Sequence, residues 1–322
     1  MKSRYFLWLV LEVLGINQAY TQPIHKHIVA TSDAANLSIN DGTSQELGFY
    51  QLDPPGESAI KGLLVLLPGF GAQPQHVFQE TRLAHEAAQI GLITIVPTIN
   101  NRLFLDLAGQ QFISLVISQL IKDNPSVSSN FFIGGFSAGG HLALSYAETV
   151  LADSAQRTLT LKATFGVDPP VDLAQLWQIG HRRIDKNCSK LLVREGQAIV
   201  ASLTHSFGGS PNQFPNQYRA YSAFSSIDSL GGNAHLLKSV PVRLYAEPDL
   251  VYWQKHYCKT FSSDDLTAQT SAMMIRRLQE QGNQRAQYIE TRGKGFVGKR
   301  PFPHSWSIVD VADCVVWMNG LL

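Results

Sequence analysis

The sequence predicts an α/β chain: a mostly parallel sheet with helices on both faces. Three observations carry that expectation. From residue 62 to the C-terminus, strand-length apolar runs alternate with segments of helical period, the pattern of strand–helix–strand crossovers. The run Gly62-Leu63-Leu64-Val65-Leu66-Leu67 is apolar throughout, as a strand buried on both faces has to be. A third run, Phe131-Phe132-Ile133, leads straight into Gly135-Phe136-Ser137-Ala138-Gly139-Gly140-His141-Leu142-Ala143 and then into helix-forming sequence.

In chain order, Val29–Ser38 and Glu46–Asp53 read as early strands, and Asp53-Pro54-Pro55-Gly56 as a turn. The Gly62–Leu67 strand ends at Pro68-Gly69-Phe70-Gly71. A helix is expected over His76–Ile90, where Val77, Leu83, Ala84, Ala87 and Ala88 make an apolar stripe, and Gly91 stops it. Leu92–Val96 is a strand stopped by Pro97, and Leu103–Ile121 has helical period broken at Asn124-Pro125. The helix after Ser137 runs to about Leu151, and Leu159–Val167 is a strand ended by Asp168-Pro169-Pro170. Residues 171–237 contain no strand pattern and read as a helical insertion over the carboxyl ends of the strands, the edge where open α/β sheets hold ligands. Pro241–Ala246 resumes the strands. Leu266–Gln281 is helical, Gln287–Thr291 is a short strand, and Trp306–Met318 is a terminal helix.

The chain has 322 residues, 44% hydrophobic and 16% charged, with a net charge of +1. It can bury a sizeable core, and neither its charge nor any basic run gives it a nucleic-acid footprint. At the N-terminus Lys2 and Arg4 precede Tyr5-Phe6-Leu7-Trp8-Leu9-Val10-Leu11, and Ala19-Tyr20-Thr21 follows. That layout is expected to be a signal peptide over residues 1–21, with residues 22–322 the mature domain, secreted or periplasmic. A buried N-terminal helix or a membrane anchor is the competing reading; the run is short for a span, and no other segment reaches transmembrane length. Of three cysteines, Cys188 and Cys258 are the favoured pair if one bridge forms, with Cys314 left over; three unpaired thiols are the alternative. No spacing of histidines and cysteines suggests a metal, and no cofactor is called for.

Ser137 carries the chemistry. Glycines two residues before and after it leave room for the neighbouring strand and helix, and the helix N-terminus offers free N–H groups beside its hydroxyl. A serine hydroxyl needs a base within hydrogen-bond reach, and the base needs an orienting acceptor.

These residues resemble the α/β-hydrolase superfamily, and the resemblance covers about residue 46 to the C-terminus. The elbow Ser137–Ala143 looks like that of feruloyl/acetyl-xylan-type and hormone-sensitive-lipase-like esterases. Gly208-Gly209-Ser210-Pro211, followed by Tyr218 and Tyr221-Ser222, looks like the segment those esterases carry before their acid strand. Where they usually have His-Gly-Gly-Gly, this chain has Pro68-Gly69-Phe70-Gly71.

The resemblance implies a serine esterase with a Ser-His-acid triad and a helical cap. His304, in the loop Arg300–Trp306 before the terminal helix, sits where the superfamily places its base. The acid is implied at Asp249, with Asp168 and Glu247 as alternatives, since some members supply it one strand earlier. Ala138 would give one oxyanion N–H and the loop after the third strand the other, with Phe70 favoured and Gly71 the next candidate; Gly71 would also approach the substrate closely. Tyr252, Trp253, Trp177 and Phe302 would line a hydrophobic substrate pocket. His141 is expected to be structural. The expected substrate is a small-molecule or polysaccharide-linked ester. A serine peptidase of the prolyl-oligopeptidase-like branch and a non-catalytic binding protein on the same scaffold are the rival readings.

Overall fold

Eight strands form one sheet among the residues described by the computed structural model, which are 22–29, 47–56, 58–99, 101–153 and 158–322. They are β1 (Ile24–Ile28), β2 (Gly48–Leu52), β3 (Gly62–Leu67), β4 (Leu92–Pro97), β5 (Phe131–Phe136), β6 (Leu161–Val167), β7 (Val242–Ala246) and β8 (Ala286–Glu290). Their order is β1-β2-β4-β3-β5-β6-β7-β8. The pairings β1–β2 and β2–β4 are antiparallel, and every pairing from β4 onward is parallel.

The apolar runs force this arrangement. β3 and β4 are buried at every position, and alternate residues of each strand face opposite layers. Leu63, Val65 and Leu67 face a core shared with α3 (Leu107–Asp123), α4 (Ala138–Ala152) and α9 (Ala268–Glu280), through Phe112, Val116, Leu142 and Met274. Leu64 and Leu66 face the other core, filled by α1 (Pro74–Glu80), α2 (Leu83–Gln89) and α10 (Val311–Asn319) through Val77, Leu83, Ala87, Val315 and Met318. No helix among the described residues is long and apolar enough to cross a membrane.

The helix expected over His76–Ile90 is two helices. Thr81 is extended at φ −144° and ψ 149°, and its hydroxyl accepts the Leu83 N–H at 3.2 Å, so a local side-chain bond replaces a helical turn. The helix expected from Leu103 begins at Leu107, because Asp106 caps it by accepting the Gly109 N–H at 2.7 Å. The expected strand Val29–Ser38 lies, after Val29, outside the described residues, as do residues 1–21.

Residues 171–237 hold α5 (Leu173–Lys186), α6 (Lys190–Phe207) and α7 (Pro215–Tyr221) and no strand. α5 and α6 form a hairpin whose axes approach closely at two glycines: a Cβ on Gly196 would lie 2.5 Å from the Gly180 carbonyl oxygen. The turn of the hairpin is fastened to the body. Cys188 is disulfide-bonded to Cys258, and Cys314 is free and buried. Beside the bridge, the buried Asp265 carboxylate pairs with Lys186 and, at 3.5 Å, with Arg182. Burial pushes that carboxyl up, but the hydrogen bonds from Lys186 and the Ser262 N–H outweigh it and hold the group below its ordinary value.

Asp265→Asn is therefore expected to cost about 1–3 kcal/mol, because a buried charge-assisted contact is replaced by a neutral one. The sign of the pH effect follows from the lowered carboxyl. Its contribution is complete above the unfolded value of 3.8 and is lost as pH falls through the lower folded value. Urea midpoints from pH 7 down to 3 should fall for the wild type and converge with the flatter profile of the variant at the acid end.

Candidate active site

The site is assembled at the carboxyl ends of β3, β5 and β6. Ser137 follows β5 at φ 52° and ψ −123°, a left-handed backbone that costs a non-glycine residue strain. Packing fixes it there. A Cβ on Gly135 would lie 2.3 Å from the Gly139 carbonyl oxygen, and one on Gly139 would lie 2.3 Å from the carbonyl oxygens of both Leu67 and Pro68. Only glycines at these two positions let α4 start hard against β5 and the end of β3. The Ser137 N–H donates to the Val167 carbonyl at 2.8 Å, and its own carbonyl accepts from Gly140 at 3.0 Å. Ala138 is the first residue of α4, so its N–H has no helical acceptor and the positive end of the helix faces the hydroxyl.

His304 lies between Ser137 and Asp168. Its Nε2 is 3.1 Å from Ser137 Oγ, and its Nδ1 is 2.5 Å from Asp168 Oδ2. Its ring packs on Phe136 at 4.6 Å between centroids, and Phe136 packs in turn on Trp306. Asp168 is the first residue past β6 and has φ 49°. Its N–H donates to the Tyr245 carbonyl at 2.7 Å, and its second oxygen, Oδ1, accepts the Thr267 hydroxyl at 3.0 Å.

The preference for Asp249 as partner of His304 is corrected by this geometry. Asp249 caps α8 (Leu250–His256), accepting the Tyr252 N–H at 2.9 Å. Glu247 is buried and accepts from Lys294 N–H at 2.8 Å, Gly295 N–H at 3.1 Å and the Thr291 hydroxyl at 3.2 Å. It thereby holds the segment leading into a small hairpin, β9 (Phe296–Val297) and β10 (Arg300–Pro301), that delivers His304. Asp249 follows the penultimate strand of the sheet, β7. Asp168 follows the strand adjacent to β5, and its left-handed turn into Pro169-Pro170 aims the side chain back toward Ser137.

A largely apolar cavity of about 240 Å³ opens over the serine. Its lining includes Phe70, Ser137, Ala138, Asp168, Trp253, Phe302 and His304. Of the residues expected to line it, Gly71, Tyr252 and Trp177 do not. Gly71, at φ 71°, turns the loop that presents Phe70, and Tyr252 packs edge-on against Trp253 and Phe302 from behind. Trp177 is occupied inside the insertion, donating to the Thr204 hydroxyl at 3.0 Å and lying over His181. The insertion supplies the far wall, which sequence reasoning did not resolve: Leu176, Leu191, Leu192 and Ile199, with the ion pair Arg183–Glu195 at 2.7 Å. The signal was present in the apolar faces of α5 and α6, but it did not say that those faces point toward the serine.

His141 is fully buried one turn into α4, with Nε2 3.0 Å from the Tyr221 carbonyl. Burial lowers its pKa to about 4 against the opposing effect of its carbonyl partners, so it is a neutral tie between α4 and the end of α7. Tyr218 of α7 donates to the Gly209 carbonyl at 3.0 Å, which fixes the glycine turn before it. Burial pushes the Cys314 thiol up to about 12, leaving no thiolate there.

No protein-family model and no curated protein matches the sequence. Solved structures do resemble the fold. Carboxyl esterase 2 from the mycorrhizal fungus Tuber melanosporum has a TM-score of 0.56 at 14% identity, over 94% of this chain and 88% of its own. An esterase from Rhizomucor miehei has a TM-score of 0.55 at 13% identity, over 93% of this chain and 84% of its own. MPT51 from Mycobacterium tuberculosis has a TM-score of 0.56 at 11% identity, over 93% of this chain and 98% of its own. The fold is the α/β-hydrolase fold.

The two displaced carboxylates should behave as structural groups. Asp249→Asn is expected to shift stability by only a few tenths of a kcal/mol, since asparagine caps helices as well as aspartate. Glu247→Gln should cost about 1–3 kcal/mol, because at least one of the buried N–H groups loses its charged acceptor. Thermal or urea unfolding of the two variants checks both values.

Proposed function

We propose that this chain is a serine carboxylic-ester hydrolase whose triad is Ser137, His304 and Asp168. The observation that carries the reading is the continuous hydrogen-bond chain from Ser137 Oγ through both ring nitrogens of His304 to Asp168, opening into an apolar cavity. The similarity to esterase structures agrees with it.

His304 Nε2 removes the hydroxyl proton as Ser137 Oγ attacks the ester carbonyl, and Asp168 stabilises the imidazolium and keeps the Nδ1 tautomer. The N–H groups of Ala138 and Phe70 receive the negative charge that develops on the carbonyl oxygen. His304 returns the proton to the leaving alcohol. Water, activated by the same histidine, then releases the acyl group from Ser137. The apolar lining favours an ester with a bulky hydrocarbon or aromatic part on one side of the scissile bond. A polysaccharide-linked ester presents such a group from a polymer; a panel of soluble p-nitrophenyl esters against feruloyl and acetyl polysaccharides separates the two, with a peptide panel as the control for peptidase activity.

We also propose that the chain is exported, with residues 1–21 removed. The Cys188–Cys258 disulfide supports this, since such bridges persist in oxidising compartments. N-terminal sequencing of protein recovered outside the cytoplasm should begin near Gln22; an intact Met1 on that protein would count against it.

Ser137→Ala and His304→Ala should each remove nearly all ester hydrolysis, and the double variant should be little worse than either, because the two residues act as one unit. Asp168→Asn should lose about 10⁴ in kcat through the wrong histidine tautomer, while Asp249→Asn stays near wild type. Steady-state kinetics on a p-nitrophenyl ester measure all four, and a larger loss at Asp249 would overturn the assignment of the acid.

A further inference from the structure

We infer that Thr267 is a positioning residue for the His304–Asp168 pair, holding the carboxylate in line with the imidazole instead of capping the helix it begins. The inference rests on the triad reading above. Thr267 is the N-cap of α9, yet its side chain makes no capping hydrogen bond. Threonine at that position ordinarily accepts an N–H from the first turn, and losing such a cap costs about 1 kcal/mol. Here the hydroxyl is turned away from its own helix and donates to Asp168 Oδ1 at 3.0 Å, at the edge of the catalytic cavity.

Asp168 needs such a partner. The terminal torsion of an aspartate is broad and nearly two-fold, so a single bond from Oδ2 to His304 leaves the carboxylate plane free to rotate. The Thr267 bond to Oδ1 supplies the second point. The same helix start also holds the turn that carries Asp168, since the Ser271 hydroxyl donates to the Pro169 carbonyl at 3.3 Å. Thr267 is itself held in place two residues upstream, where the buried Asp265 receives Lys186 and Arg182 from the end of α5.

The test compares Thr267→Val, which keeps the shape and removes the donor, with Thr267→Ser, which keeps the donor, in the full chain on a p-nitrophenyl ester. For the valine variant, kcat should fall about tenfold with KM within about twofold, the signature of an interaction that matters in the transition state. Its melting temperature should stay within about 2 °C, because no capping bond is lost. The serine variant should recover most of the activity. Wild-type kcat in Thr267→Val, or a serine variant as impaired as the valine one, would overturn the inference alone. A wild-type protein that neither hydrolyses esters nor labels with a fluorophosphonate would overturn the triad reading and this inference with it.

Discussion

The rest of the site depends on one steric constraint, the contact of α4 with the ends of β3 and β5. The Gly139 Cα sits so close to the Leu67 and Pro68 carbonyls that a Cβ would come within 2.3 Å of both. That contact sets where α4 begins, and the chain can reach its start from β5 only through a left-handed residue. Ser137 is that residue. Its hydroxyl is thereby raised above the sheet, its neighbour's N–H is left without a helical acceptor, and the loop after β3 is brought alongside. The parallel order then does the remaining work: β6 lies next to β5 and ends at the same level, so the first residue past β6 is within one histidine of the serine.

This explains how much could be read from the sequence. The buried strands announced themselves through unbroken apolar runs, and the elbow through two glycines whose only use is close approach. His304 was legible because its loop ends the strand series. The carboxylate that meets His304 was less so. Asp168 and Asp249 both follow apolar strands and both adjoin proline, so composition does not separate them. The deciding facts are three-dimensional: the left-handed turn at Asp168, and the N–H of Tyr252 that engages Asp249 in its own helix cap. The far wall of the cavity was least legible, because an amphipathic helical hairpin shows that it buries a face without showing against what.

The insertion is fastened at several points. Gly180 and Gly196 bring its two helices into close contact, and the turn between them is held by a disulfide and a buried carboxylate bearing two cations. These fastenings converge on the short segment from Cys258 to Asp265, which runs on to Thr267. The cavity wall and the Asp168 carboxylate are therefore tied to one strip of chain. A disturbance of the fastenings reaches both the shape of the pocket and the alignment of Asp168.

Local rules are broken around His304. The described non-glycine residues at positive φ are Ser137, Asp168 and Asn187. Asn187 closes α5 in the left-handed conformation that asparagine tolerates at a helix end. The other two carry strain that no capping role repays, and they face each other across His304. Thr267 adds a forgone helix cap on the same carboxylate. Strain of this kind persists only where the surroundings over-determine it. Here they do: the Gly139 contact, the Tyr245 carbonyl that receives the Asp168 N–H and the anchored Asp265 segment each fix one of the three positions from outside the site. The orientation of His304 is thus held by the sheet and by the anchored Cys258–Asp265 segment.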